Sequence, residues 1–534
     1  MQGYQTAFIL FPWEEATMMV CSVRPPAKRS NVYFAAPRWT KASRQWQMID
    51  EELPEDDPVR LMVSAVEKRL DLQPLWASYS PGGSDALRPD LMLNIVLIEV
   101  WFGRQHPSQW FKDTLKDTSL QWAGMGIRPS RSSWYNFRDR LASYIDTWFQ
   151  QVVQIAREAG ITPARRAALD GSFIAANASR HRLLNEERLE KRRAELERQC
   201  ERDAQGADDQ EIVPAWMAKK PATRLEQAER YTQAKSRLDE FQAINQRQNP
   251  ARRRPRNKIV VSATDTVAAV GWDKHKVFRP LYNLQLMRDL DSPLALAFGV
   301  FAQNTDGGTL PLMVRRAREE MRIPLAEVFS DATYVTGCNL AFCKEENVTL
   351  YGPWRENDYS RSAAKGKQRM IPKEQFTWLP NERRYKCPQG HPLDWIGKES
   401  RLQADGEINV VHRYRCLPEH CRICPLQPHC TKSPKLGRSV RRSEHEELIV
   451  AHRARMDTEE AKGAYRLRKQ TVELGYADLK NNRDLCRFSG RGLTRVRTEA
   501  GLNELARNLI IVERALRERE NRPAAPENAA GDTS

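Results

Sequence analysis

The chain has 534 residues, too many for one hydrophobic core of ordinary size, and its 40% apolar content can fill two to four domains. Lysine and arginine number 85 against 69 acidic residues, a formal charge of +16, which points to a polyanionic partner. No run of about 18 apolar residues and no compact basic amphipathic segment occurs, so a membrane is set aside and nucleic acid is the first candidate.

Residues 1–57 alternate apolar and Pro-rich pieces without a period and receive no function. Their opening stretch, MQGYQTAFILFPWEEATMMV, lacks the basic flank and small-residue cleavage site of a secretory leader, so a cytoplasmic, nucleoid-associated protein is expected. From 58 to 160 apolar residues recur at helical spacing in VRLMVSAVEKRLDL, RPDLMLNIVLIEVWFG and SSWYNFRDRLASYIDTWFQQVVQIA, which predicts an all-helical domain. Near its end Arg128, Arg131, Arg138 and Arg140 surround Trp134, Tyr135 and Phe137. That mixture suits either a DNA-binding helical unit or a core with a wet basic face.

Residues 161–354 read as the first part of an α/β core. AALDGSFIAA predicts a strand, a bend at Gly171 and a second extended piece, with Asp170 at the strand's end as a turn-former or a metal ligand. Between 180 and 257 two charged helical runs form a hairpin insertion, which leads into the basic strip Arg252, Arg253, Arg254, Arg256 and Lys258, a phosphate track or a solvated linker. KIVVSATD is predicted as a strand, PLYNLQLMRDLD and PLALAFGVFAQN as a hairpin, and LPLMVRRAREEM as a helix. LAEVFSDATY is a strand ending at Asp331, followed by the helix GCNLAFCKEEN and a fifth strand, VTLYGPW. The predicted architecture is a mixed five-stranded sheet with flanking helices.

From 355 to 455 the composition shifts to Arg, Lys, Pro, Gly and Cys, with short strands predicted in EQFTWL, RYKCP and VVHRYRC. Cys387, Cys421, Cys424 and Cys430 can supply four thiolates to a structural Zn²⁺, with Cys416 or His391 as substitutes; reduced, partly buried thiols are the alternative. Residues 456–520 return to the core with YRLRKQTVELGYADLK, which as a helix sets Tyr465, Arg468, Glu473, Tyr476 and Lys480 within an arc of roughly 140°. A carboxylate among bases and phenols suits a metal beside a phosphate, and equally suits a solvated face. A basic Gly-rich loop, RFSGRGL, an amphipathic helix and a tail at 521–534 expected to be disordered complete the chain. Three carboxylates, Asp170, Asp331 and Glu473, converging from strand ends and a helix can hold two Mg²⁺ or Mn²⁺ ions for in-line phosphodiester attack.

The order LDGSF, SATD, LYNLQLMRD, FSDATY and YRLRKQTVELGYADLKNNRDLCRFSGRGL resembles the RNase H-like DDE transposases of bacterial insertion sequences, in the group with a Tyr-Arg-Glu-Lys signature. The resemblance implies an RNase H-like fold, a metal-binding triad of Asp170, Asp331 and Glu473, and DNA-end contacts by Tyr465, Arg468 and Lys480, with Arg487 and Arg491 in the basic loop beside them. It implies double-stranded DNA, as transposon ends and target, as partner, and a homodimer in the DNA complex. Four residues separate Arg468 from Glu473 where the signature has three; Lys469 would restore the gap. In such proteins an aromatic near Trp354 can receive a flipped base, although a Trp closing a core strand is the commoner case. The non-enzyme alternative is a catalytically silent, zinc-containing DNA-binding descendant of a transposase, and a stand-alone RNase H-like nuclease is a third reading.

Overall fold

A long strand, β1 (Arg166–Ala175), lies at the middle of the main sheet and carries the first of the candidate acids. The structure, a computed structural model, describes residues 32–81, 85–205, 213–248, 250–354, 371–402 and 408–521. The expected tail at 522–534 and most of residues 1–57 lie outside this set.

Two short strands, β2 (Leu183–Leu184) and β3 (Val261–Ser262), form a separate ribbon. KIVVSATD therefore contributes less strand than its pattern predicts, because the Ser262 hydroxyl accepts the amides of Thr264 and Asp265 and turns the chain. The main sheet adds β4 (Ala269–Trp272), β5 (Phe278–Asp289), β6 (Ala295–Phe301), β7 (Glu327–Phe329) and β8 (Thr349–Tyr351) to β1. β5 runs antiparallel to β1, while β7 is parallel to β1 and β8 to β7. β4 and β6 share the other edge of β5, one pairing with Phe278–Leu281 and the other with Asn283–Arg288. A six-stranded sheet thus stands where a five-stranded one is predicted; β4 enters it, and KIVVSATD lies outside it. This mixed sheet with helices around it is compatible with an RNase H-like domain.

The predicted bend at Gly171 is absent. β1 pairs with β5 without interruption from Ala167 opposite Asp289 to Ala175 opposite Leu281, so Asp170 sits within the strand rather than at its end. Glycine is required there by proximity, since a Cβ would stand 2.1 Å from Gln285 Nε2 and 2.3 Å from Asp306 Oδ1.

The N-terminal region is helical, and several of its helices start at proline, including Pro58–Arg69, Pro89–Trp101 and Pro107–Thr114. Pro89–Trp101 is mostly apolar and buried on every side from Leu91 to Val100, the behaviour of a central helix. Leu493–Glu520, the C-terminal helix, packs on Pro58–Arg69, Pro89–Trp101, Ile145–Glu158 and β6, so one continuous apolar core joins the helices to the sheet. The inserted hairpin, Glu186–Ala204 with Pro221–Arg247, closes over a smaller core around Leu189, Leu196, Tyr231 and Leu238.

The Cys-rich insertion folds into a second, antiparallel sheet ordered β13-β12-β11-β10-β9. Its strands are β9 (Thr377–Leu379), β10 (Arg384–Lys386), β11 (Pro392–Leu402), β12 (Ile408–Cys416) and β13 (Ser439–Ser443). β11 and β13 go beyond the three predicted strands; their charged alternation reads as loop. After it the helix Glu459–Ala477, hereafter the site helix, is capped by the Thr458 hydroxyl on the Ala461 amide and continues as a wider π turn, Asp478–Asn482. No helix among the described residues is long and apolar enough to cross a membrane.

Candidate active site

Parallel pairing of β1 with β7 brings the two aspartates together. Ala168 lies opposite Phe329 on strands about 5 Å apart, and Asp170 within β1 and Asp331 just past the end of β7 each follow two residues later. Asp331 also shapes its own turn, accepting the Thr333 amide at 2.6 Å. Burial pushes the Asp170 carboxyl up to about 6; Arg468 opposes the shift, and the carboxylates of Asp331 and Asp306 add to it.

The site helix is fastened over these strands by backbone carbonyls. Tyr465 donates its hydroxyl to Ser330 O at 3.2 Å, immediately before Asp331, and Tyr476 donates to both Asp170 O at 2.8 Å and Leu284 O at 2.9 Å. Arg468 Nη2 lies 3.4 Å from Leu169 O and 3.4 Å from Asp170 Oδ1. Lys480, on the π turn, donates to the Ser172 hydroxyl, and burial followed by the nearby Lys274 lowers its pKa. Four of the five residues of the predicted arc therefore face the sheet. Glu473 does not: its side chain is exposed on the flank of the helix. Gly475 allows the helix to lie close, because a Cβ there would come within 2.6 Å of Arg288 Nε. Arg288 is buried and paired at 3.0 Å with the buried Glu504 of the C-terminal helix.

Behind β1 lies a polar network that the sequence reading misses. Gln285 donates to Asn283 Oδ1 and Asp306 Oδ1, both at 2.8 Å, and accepts the Tyr334 hydroxyl at 2.7 Å. Asn283 also donates to Asp306 Oδ1 at 2.9 Å. The available signal was the pair of amides in LYNLQLM, a strand otherwise apolar on both faces, since buried amides need partners.

The basic loop is docked where β1 ends. Arg487 donates to Ala176 O at 3.2 Å and Ala178 O at 3.3 Å, and Arg491 to Asn177 O at 3.0 Å, while both remain largely exposed. The buried Glu499 carboxylate accepts from Ser489 and Gly490, and burial pushes it up to about 7. Arg253 and Arg254 are exposed beyond the helical hairpin; the side chain of Arg252 lies outside the description. In the N-terminal region Trp134 and Phe137 are core, Arg138 pairs with Asp139 and Arg140 holds Ser78 O, leaving Arg128 and Arg131 exposed. Trp354 packs against the main core under Arg453, whose guanidinium carbon is 5.7 Å from the ring centre.

In the second sheet Cys416, Cys421 and Cys430 are buried in one cluster and Cys387 packs against it. Cys421 Sγ accepts the Arg438 amide and Cys387 Sγ the His391 amide, each at 3.3 Å. Burial, reinforced by the Cys421, Cys387 and Cys430 thiols, pushes Cys416 up to about 12. Cys424 is only partly buried and acts on Cys430.

Among the described residues no group of three or more His, Cys, Asp or Glu is already disposed to hold a metal ion. The donor chemistry of both clusters nevertheless fits one. Close, half-buried carboxylates, of which Asp331 and Asp306 raise Asp170, are hard oxygen donors relieved by a divalent cation, and buried thiols that accept backbone amides are soft donors suited to zinc. A comparison with curated proteins finds no match. Residues 386–512 match the family model described as the transposase DDE domain, a segment that includes the cysteines, Glu473 and the basic loop and begins after both aspartates; this similarity supports a DDE transposase.

Proposed function

We propose that the chain is a DNA transposase that binds the terminal inverted repeats of an insertion sequence and catalyses metal-dependent strand cleavage and strand transfer. The observation that carries this reading is the parallel register of β1 and β7, which sets Asp170 and Asp331 each two residues past a paired position, under a helix that bears Glu473 and lies in the transposase-like segment. Asp170, Asp331 and Glu473 would hold a pair of Mg²⁺ or Mn²⁺ ions, which when bound supply Lewis acidity to the attacking and leaving oxygens.

In cleavage a water oxygen bonds to phosphorus as the P–O3′ bond breaks, giving a 3′-hydroxyl and a 5′-phosphate. In transfer that 3′-oxygen bonds to a target phosphorus as the target's P–O3′ bond breaks. Each reaction exchanges one phosphodiester oxygen for another, so no protein nucleophile takes part. Arg468 and Lys480, next to Asp170 and Ser172, supply positive charge where the phosphate must lie, with Tyr465 fixing the strand end. Arg487, Arg491 and the strip Arg252, Arg253 and Arg254 extend that charge along the duplex.

The helical region 58–160 acts in DNA binding, 161–354 and 456–520 form the catalytic core, and 355–455 is a module closed by zinc on thiols drawn from Cys387, Cys416, Cys421, Cys424 and Cys430. Two copies act together on paired ends.

The exposure of Glu473 favours one competing reading, a catalytically silent DNA-binding protein retaining its zinc module. DNA bearing the element's ends, incubated with protein in Mg²⁺ or EDTA, separates the two. The transposase cuts in Mg²⁺ alone and Asp331→Asn does not; binding without cutting supports the silent protein, and cutting that survives EDTA removes the metal assignment.

A further inference from the structure

The loop that carries Arg487 and Arg491 keeps its charge outside and its backbone inside. Phe488, Ser489 and Gly490 are buried between the two exposed arginines, and the Phe488 ring meets the buried Tyr282 ring edge to face at 5.9 Å. The loop runs beside the end of β1: Phe488 N donates to Ala175 O at 2.9 Å, and the Asn177 side chain donates to Ser489 O. Burial of this turn leaves the amides of Ser489 and Gly490 in need of acceptors. Glu499, near the start of the C-terminal helix and 2% exposed, supplies them. Its Oε2 accepts Ser489 N at 2.7 Å, and its Oε1 accepts Gly490 N and, at 2.6 Å, the Ser489 hydroxyl. Gly490 permits the approach, since a Cβ there would stand 2.9 Å from Glu499 Oε1. At the loop's far end a second buried acid, Asp265, accepts the Tyr282 hydroxyl at 2.8 Å and the Gly492 amide at 3.3 Å.

A neutral acceptor would satisfy the same amides at a lower desolvation cost, so the buried charge calls for another reason. The arginines give one. Farther along, Arg495 and Arg497 are spent on ion pairs with Asp139 and Asp146. Among the described residues Arg487 and Arg491 have no such pair. Their bonds go to the carbonyls of Ala176, Ala178 and Asn177, which fix both guanidinium planes, leave the charge intact and leave Arg487 Nη1 and both Nη atoms of Arg491 without a protein partner. Two guanidinium groups on one short loop repel each other, and an anion bonded to the loop's amides, instead of to either guanidinium, offsets that repulsion without consuming the cations.

We infer that Glu499 is a positioning residue for DNA: its charge, placed on the amides of Ser489 and Gly490, holds the loop so that Arg487 and Arg491 present their free nitrogens to phosphates of the duplex. The inference rests on the proposed role of the basic loop in binding the element's end, and adds that the acid buried behind the loop is required for it.

Fluorescence anisotropy of the full chain on a labelled duplex of the element's end tests it, in EDTA at about pH 8.5, where the Glu499 carboxyl is ionised. Removing an acid from a basic protein should, by net charge alone, tighten DNA binding; the inference expects the reverse. Glu499→Gln should bind about tenfold more weakly, with the log–log salt slope smaller by about 1 to 2, while Arg487→Ala with Arg491→Ala should reduce that slope by about 1.8. Added to those two arginine substitutions, Glu499→Gln should cost nothing further. Ser489→Ala, which removes one of the three bonds and keeps the charge, should weaken binding about threefold and decides alone if Glu499→Gln does not fold. Unchanged or tighter binding by the folded variants, or a Glu499→Gln loss that persists without the two arginines, overturns the inference and leaves the transposase reading standing. Arginine substitutions that move neither affinity nor slope overturn the loop's DNA contact together with the inference, and a wild type that does not bind the duplex overturns the transposase reading as well.

Discussion

The main sheet and the sheet of the insertion are built from similar numbers of strands but rest on very different foundations. The first lies on a core that runs into the N-terminal helices, with Trp110, Trp134, Trp148, Phe149 and Phe298 almost wholly buried. The second closes over Phe376, Tyr385, Leu393, Tyr414, Val440 and three cysteines, with Trp378 tilted against two of the tyrosines. Large cores tolerate polar inclusions such as Asn283, Gln285 and Asp306 beside a site; a small one has little apolar area to spare, which the proposed zinc on its thiols would offset. The comparison separates a region stable by burial from one that the proposed zinc would stabilise by ligation.

The largest expected effect lies at the acids of the first region. Asp331→Asn should lower strand cleavage about a thousandfold with an unchanged melting temperature, as measured by gel assay and calorimetry. Loss of fold along with activity would mean that Asp331 serves only the turn it caps. Next comes overpacking beneath it: Gly171→Ala, facing Gln285 and Asp306, should cost about 3 kcal/mol in denaturant unfolding.

Chelation sharpens the contrast. Removing zinc should accelerate amide exchange in β9 to β13 at least about tenfold while β1 and β5 stay protected. Uniform protection would show that the insertion stands on its small core alone. The smallest effect concerns Glu99, wholly buried in Pro89–Trp101 and pushed up to about 8 by burial, with Arg104 opposing. Its neutral form is the one the fold favours, so the stability it contributes is complete below the usual glutamate range and lost as pH rises through about 8. Glu99→Gln should flatten the pH dependence of stability across that window.

Much of this arrangement was legible beforehand, for physical reasons that vary by element. The β5–β6 hairpin and the helix–strand series after it follow from runs of apolar residues broken by turns, whereas Asp331, expected at a strand's end, lies two residues beyond the shorter β7. Gly171 misled because Asp-Gly is a strong turn signal, whereas here the missing side chain serves an approach across the sheet from residues more than a hundred positions away. β4 and β11 escaped notice because exposed apolar positions such as Trp272 and Trp395 blur the alternation that marks a strand. Among the site residues, the orientation of the 465–480 face followed from helical geometry for Tyr465, Arg468, Tyr476 and Lys480, while the role of Asp306 and Gln285 depends on tertiary contacts that no local pattern encodes.

The two tyrosine hydroxyls that fasten the site helix bond to main-chain carbonyls, not to side chains. Every residue type offers the same carbonyl, so the strands can change their side chains at Ser330 and Leu284 while retaining those anchoring acceptors. The placement of that helix is in this sense insulated from sequence drift in the sheet, and is vulnerable instead to whatever moves the backbone beneath it.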